Sequence, residues 1–210
     1  MNRFSGFFDF VAKVRPNRDE LERLILSGAC DSLWPNRRAM LWAIPAALEH
    51  SHTLFGLVEQ SALPLEFPEP AMPTGIEDFT PEEKAVYERI LLGLDIDRHL
   101  MAFERERVRT RGGITTAQAK RLKDGEKAIV VGNPIRLRFP PTPSGKRVVF
   151  FDLEDETGLL NVTCFDDVYQ RDGHAIVCSP YVTLIGHGQN RDGHIAFLGA
   201  RVFEYKPLLT

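Results

Sequence analysis

The stretch Gly145-Lys146-Arg147-Val148-Val149-Phe150-Phe151-Asp152-Leu153-Glu154-Asp155-Glu156-Thr157-Gly158-Leu159-Leu160-Asn161-Val162-Thr163-Cys164 decides the fold. Val149, Phe151 and Leu153 alternate with Phe150, Asp152 and Glu154, the period of a half-buried strand. Asp155-Glu156-Thr157-Gly158 breaks the alternation as a tight turn. Beyond it, Leu160, Val162 and Cys164 alternate with Asn161 and Thr163. The block is therefore predicted to be an antiparallel hairpin. Val149, Phe151, Leu153, Leu160, Val162 and Cys164 form its inner face; Phe150, Asp152, Glu154, Asn161 and Thr163 point outward.

Working outward, period-two patterning predicts strands at 127–137, 147–154, 159–165, 181–189 and 194–204. Asn190-Arg191-Asp192-Gly193 is a second turn signal, and residues 166–171 form a short helix. Five strands with a small helix between the third and fourth is the layout of an OB-fold barrel. Upstream the pattern is helical. Leu21, Leu24 and Ile25 mark a helix at 19–27 with Asn17 as its cap. A second runs from about 36 to 50, with Pro45 as a potential kink. Pro64, Pro68, Pro70 and Pro73 mark 63–75 as a linker. Thr80-Pro81-Glu82-Glu83 is a capped helix start, Thr80 and Glu83 forming a capping box, and that helix reaches about Leu92. Another covers 100–109. The expected fold class is α+β: a helical segment at 1–62, a Pro-rich linker and helical connector at 63–124, and an OB-fold β-barrel at 125–210.

The composition is that of a globular chain, 43% hydrophobic and 26% charged over 210 residues. No apolar run reaches the length of a membrane span, and no secretory signal is legible, so a cytoplasmic location is expected. Cys30, Cys164 and Cys178 have no metal-ligand spacing and are expected as free thiols. The net charge of -3 weighs against a surface that grips nucleic acid all over, because affinity follows the phosphates neutralised. Any such contact has to come from a local patch.

One such patch stands at the base of the first barrel loop. Alternation puts Arg136 and Arg138 on the same face of the first strand, and Lys146 and Arg147 close the loop from the other side. In OB-folds this loop and the face of the second and third strands are where oligonucleotides lie. Phe150 is placed to stack a base, worth roughly 1–3 kcal/mol, with Asn161 and Thr163 as hydrogen-bonding groups. The competing reading is a solvated rim, since residues 125–210 carry nine Lys+Arg against ten Asp+Glu, with Phe150 packed under the helices. A second basic run, Arg98 to Lys123, holds eight Lys or Arg and two acids. Its arginines recur at every second residue and spread around a helix, which favours a solvated connector. A third candidate is the turn at Ser27 and Gly28, which resembles a helix-hairpin-helix whose amides could meet a phosphate; a helix C-cap at Gly28 explains it equally well. Glu154, Asp155 and Glu156 do not form a metal site in this reading, because adjacent strand acids point to alternate faces. His174 and His194 each follow an Asp-Gly turn and are expected to be exposed. Neither a nucleophile motif nor a phosphate-cradling glycine loop is present, and no cofactor is expected.

The block from Gly145 to Val162, with its Leu153-Glu154-Asp155-Glu156-Thr157-Gly158 core, resembles the OB domain of the bacterial DNA polymerase III alpha subunit family, most closely its error-prone branch. Phe8 to Arg15, Leu21 to Leu33 and Arg37 to Trp42 resemble the end of that family's tandem helix-hairpin-helix module. Phe79 to Glu83 and Gly93 to Met101 are similar to its connector. Cys30 stands where the family usually has Phe. The family's catalytic half and its metal-binding aspartates have no counterpart here. That leaves a stand-alone remnant, one half of a split polymerase or a truncated piece as open alternatives. The resemblance implies a non-catalytic DNA-binding part of an error-prone or translesion polymerase, its barrel holding single-stranded template and its hairpin holding duplex phosphates. Single-stranded or primed DNA would be the partner, with a separate polymerase catalytic chain or a sliding clamp beside it. Gln60-Ser61-Ala62-Leu63-Pro64-Leu65 faintly resembles a clamp-binding peptide, an ordinary linker entry being the plainer reading. The alternative function is a protein-interaction module that docks a polymerase or clamp with little DNA affinity of its own.

Overall fold

Alternating apolar residues cannot bury one face of a lone hairpin, so the barrel strands must close on each other. A computed structural model shows how; it describes residues 4–60, 68–143, 145–191 and 194–208. The chain divides into two compact units, Met1–Asp97 and Arg98–Thr210.

In the second unit, a two-residue strand β1 (Gly113–Ile114) precedes β2 (Lys127–Arg138), β3 (Val149–Asp155), β4 (Gly158–Cys164), β5 (Val182–Arg191) and β6 (His194–Glu204). The order is β1-β2-β3-β4-β6-β5, and β2 also pairs with β5. The closure depends on β2 serving two partners. Lys127 to Gly132 run antiparallel to β5, and Asn133 onward run antiparallel to β3. At the changeover sits Gly132, where an added Cβ would collide with the Glu154 carbonyl. β4 and β6 complete the barrel in parallel, through Val162 with Phe197 and Thr163 with Leu198. The result is a closed five-stranded barrel with a helix between its third and fourth strands. Val130, Phe151, Leu153, Leu160, Leu184 and Phe197 fill its interior, each burial worth roughly 1.5–3 kcal/mol. The predicted inner face of the hairpin, including Val162 and Cys164, is buried as expected.

That helix, α7 (Asp166–Cys178), is twice as long as the sequence suggested. Asp172-Gly173 is not a turn. Val168, Asp172 and Ile176 recur at helical spacing and are buried against the barrel. The Asp172 carboxylate accepts the Val202 N–H at 2.9 Å and pairs with Arg171 and Arg201. His174 is exposed as expected, although from a helix. Before the barrel come α5 (Leu100–Thr110) and the single-turn α6 (Thr116–Ala119). Both fold with the barrel rather than with the upstream helices, so the unit boundary lies at Asp97/Arg98 instead of near Gly125.

The first unit contains α1 (Phe7–Val14), α2 (Arg18–Leu26), α3 (Arg37–Gln60) and α4 (Pro81–Leu92). α1 has no counterpart in the periodicity reading. α2 and α4 begin with the predicted caps: Asn17 with Glu20 and Thr80 with Glu83 form capping boxes. α3 starts at an Asn36 cap and runs through Pro45 well past residue 50. Phe7, Phe8, Val11, Leu21, Ile25 and Met40 form its core. The described part of the linker has no helix or strand, yet it is strapped down. Met72 packs on the core, the Ile76 carbonyl accepts from Asn36, and Asp78 pairs with Lys84. The candidate clamp peptide lies almost entirely outside the described residues.

Candidate nucleic-acid interface

Strict alternation along β2 would put Arg136 and Arg138 in the barrel interior, because Pro134 pairs with inward-facing Leu153. A bulge prevents this. Between Ile135↔Asp152 and Arg138↔Phe150, β2 carries one residue more than β3. Arg136 adopts a left-handed backbone with φ 54°, Leu137 packs toward the core, and Arg138 emerges on the outer face beside Phe150. Arg136 and Arg138 are both exposed, as expected, but alternation is not the cause.

The outer face is built from cross-strand pairs: Arg138 with Phe150, Phe150 with Thr163, and Asp152 with Asn161. An open groove of about 700 Å³ runs over them. Arg138, Phe139 and Pro140 form one wall, Phe150, Asp152, Asn161 and Thr163 the floor, and Ile195 and Ala196 the far side. Phe150 is half-buried in the floor and Asn161 is exposed. Two expected outward residues are more enclosed. Thr163 is only 4% exposed because β6 pairs alongside it, and Asp152 only 6%. Arg136 lies outside the groove wall and reaches the Asp152 carboxylate at 3.4 Å.

Lys146 and Arg147 line a different cleft of about 670 Å³, on the other side of the same loop. Phe139 and Pro140 belong to both clefts and separate them. The second cleft is backed by α7: the Arg147 guanidinium lies 5.5 Å from the Tyr169 ring centroid, and the Arg147 N–H donates to Asp166 at 2.8 Å. Tyr169 also packs edge-on against Phe139 at 5.6 Å. The four predicted cations therefore flank the loop without forming one cluster. Phe139, 47% exposed, and Tyr169 belong to the surface although the sequence reading gave neither a role. An aromatic directly after Arg138 and before Pro140-Pro141 was the available signal for Phe139.

The turn at Ser27 and Gly28 is a helix C-cap. The Gly28 N–H donates to Ile25 and the Ala29 N–H to Leu24, both at 3.0 Å, and the Ser27 N–H donates to Arg23. These amides are spent inside the cap, and none of the three is left to meet a phosphate. Gly28 has φ +84°, and an added Cβ would strike the Arg37 guanidinium. Arg37 is buried and pairs with Asp31 at 2.7 Å and Glu88 at 2.8 Å.

The basic run of α5 is neutralised within the unit. Arg105 donates to Asp155 at 2.8 Å and to Glu156 at 2.5 Å, correcting the reading of a solvated connector at that position. Asp155 also accepts from the Thr116 N–H and hydroxyl and from the Thr157 N–H and hydroxyl, at 2.6–2.8 Å. Burial pushes its carboxyl upward, but the hydrogen bonds from Thr116 and Thr157 outweigh it and hold it below the usual carboxylate range. Arg107 pairs with Glu104, and Arg109 with Glu106 in solvent. Burial and the Glu104 carboxylate together push the Tyr205 hydroxyl up to about 12. Among the described residues, no group of three His, Cys, Asp or Glu is arranged to hold a metal, and no helix is long and apolar enough to cross a membrane.

No protein-family model matches the chain. It is 39% identical over 196 residues to an error-prone DNA polymerase of Symbiobacterium thermophilum, covering 85% of this chain and 18% of that protein. To an error-prone DNA polymerase of Mycolicibacterium paratuberculosis it is 28% identical, covering 95% and 17%. To the DNA polymerase III subunit alpha of Bacillus subtilis it is 26% identical, covering 94% and 18%. The chain thus spans less than a fifth of the length of these relatives. The resemblance first carried by the block around Asp155 extends over nearly all of it. Among solved structures, the N-terminal domain of PriB from Thermoanaerobacter tencongensis overlays 40% of this chain at 16% identity, with a TM-score of 0.34, too distant to build on.

Proposed function

We propose that this chain, a sequence relative of error-prone DNA polymerases over most of its length, binds single-stranded DNA in the groove across β3 and β4 and performs no chemistry itself. The observation that carries this reading is the outer face itself. A cation, Arg138, two aromatic rings, Phe139 and Phe150, and an exposed amide, Asn161, converge on one open groove of a closed barrel. Single-strand binding needs a cationic wall for the backbone and rings on which bases stack without regard to sequence. Arg138 supplies the first and Phe150 with Phe139 the second. Lys146 and Arg147 extend the cationic rim past the Phe139–Pro140 ridge into the neighbouring cleft. The chain would hold template for a polymerase active site carried elsewhere. Fluorescence anisotropy with labelled single strands and primed duplexes, at low and moderate salt, tests it. Binding that weakens as salt rises supports the reading; no binding to either at low salt removes it.

A second reading has its own observation. In the first unit Trp42 is 71% exposed, and a cleft of about 460 Å³ is lined by Val14, Pro16, Leu24, Leu91 and Leu92. An exposed Trp and an open, largely apolar cleft are each features of protein-docking surfaces. In this reading the chain docks a polymerase or clamp and touches DNA only incidentally. Co-purification with a polymerase polypeptide, without DNA affinity of its own, selects it.

A further inference from the structure

Backbone binding leaves one feature of the groove floor unused. Asp152 lines the groove, is 6% exposed, and stands directly across from Asn161 in the β3–β4 register. A carboxylate there repels phosphates, so it belongs to a different part of the ligand. Phe150 is two residues away on the same face, about 7 Å along the strand. The edge of a base lying against the Phe150 ring therefore falls within reach of Asp152 and Asn161.

We infer that Asp152 and Asn161 read the Watson–Crick edge of a guanine seated on Phe150, so that the groove favours guanine-bearing single strands over thymine-only strands. This rests on the single-strand reading above. Guanine presents two adjacent donors, N1–H and the 2-amino group, which match the two oxygens of one carboxylate; its O6 accepts from the Asn161 amide. Cytosine and adenine each offer one amino donor to Asp152 and one ring nitrogen to Asn161. Thymine offers one N–H between two carbonyls, and those oxygens face the carboxylate. In the free protein Arg136 covers the charge from 3.4 Å, but its side chain is 63% exposed, and an ion pair so open to water yields readily. As a base engages Asp152, Arg136 is released toward the backbone phosphates.

The test is anisotropy with the full chain and short labelled oligothymidylates in which single thymines are replaced by 7-deazaguanine, which keeps the Watson–Crick edge and blocks quadruplexes. The guanine-edge strand is expected to bind about tenfold tighter than thymine alone. The corresponding hypoxanthine strand, lacking the 2-amino donor, falls between. Asp152→Asn removes the like charge and is expected to bring the ratio close to one while tightening the thymine strand; Asn161→Ala narrows it. Equal affinity of the unaltered chain for guanine and thymine strands overturns the inference and leaves single-strand binding standing. Failure to bind any strand removes both. Equal loss on every strand in Asp152→Asn, with the fold intact by circular dichroism, makes Asp152 a structural prop and also overturns it. Because the ratio is measured on the unaltered chain, it decides the matter even if Asp152→Asn does not fold.

Discussion

The chain has two arginine-rich regions within one unit, and they end in opposite circumstances. Along α5, Arg105, Arg107 and Arg109 all find carboxylates: Asp155 and Glu156, Glu104, and Glu106. Around the first barrel loop, Arg138 faces an open groove, and Lys146 and Arg147 face a second cleft. Among the side chains of these four cations, and within the described residues, Arg136 alone is paired with a carboxylate, and loosely. The α5 run is the denser in sequence and the less available to a ligand. Density of positive charge is thus a poor guide to a phosphate site. What decides is whether the fold brings a carboxylate to each cation first, and on α5 it does.

The contrast is open to direct attack. The largest effect should come from Asp155→Ala, which strips five donors of their shared acceptor and leaves half-buried Arg105 with Glu156 as its one remaining carboxylate. A loss of roughly 3–5 kcal/mol is expected, measured by urea unfolding, with single-strand affinity retained by the molecules that stay folded. A selective loss of affinity instead would place α5 in the binding surface. Next, Phe150→Ala should weaken single-strand binding by about 1–3 kcal/mol while changing stability far less, because the ring lies on the outer face. Replacing Arg138, Lys146 and Arg147 together by Ala should flatten the dependence of log affinity on log salt by about 2, near 0.7 per lost phosphate contact. Arg109→Ala, at a solvent-exposed pair, should leave that slope unchanged, and a matching drop there would erase the distinction between the two regions.

The smallest effect is in pH. Asp155, Glu104 and Asp172 are all held below the ordinary carboxylate value by hydrogen bonds and arginines that outweigh their burial. Their contribution is therefore complete above the unfolded value of about 4 and is lost as pH falls through the lowered folded values. Urea midpoints should be flat from neutral pH to about 5 and fall below about 4, and Asp155→Asn should shallow that fall. A midpoint that declines already between neutral pH and 5 would mean that other groups control acid stability.

Much of this molecule was legible in advance where one physical rule acted alone. The hairpin alternation from Val149 to Cys164, the caps at Asn17 and Thr80, and the barrel layout each follow from local pattern. What escaped depended on partners distant in sequence. Nothing near Thr116 announces that it will donate twice to Asp155 across 39 residues. Asp172-Gly173 has the composition of a turn, and its place in a helix interior is accompanied by partners far along the chain, the Val202 amide and Arg201. Arg136 and Arg138 were singled out by simple alternation, which would have buried them. The exposed outcome came from an extra residue whose place in the strand no pattern marks. Ser27 and Gly28 were poised between two readings, and the hydrogen bonding of the turn, with its amides directed back into α2, follows the cap.

The irregularity at Arg136 acts as a phase shifter for everything downstream of it. Removing one residue there, for instance Leu137, would restore strict pairing, leave Arg138 opposite Phe150, and swing Arg136 from the solvent side to the hydrocarbon side of the wall, opposite Phe151. Lengthening or shortening the loop from Pro140 onward would not, because the orientation of Arg136 is already set before that loop begins. The tip is therefore the place where insertions should be tolerated, and the single surplus residue ahead of it the place where a deletion should not.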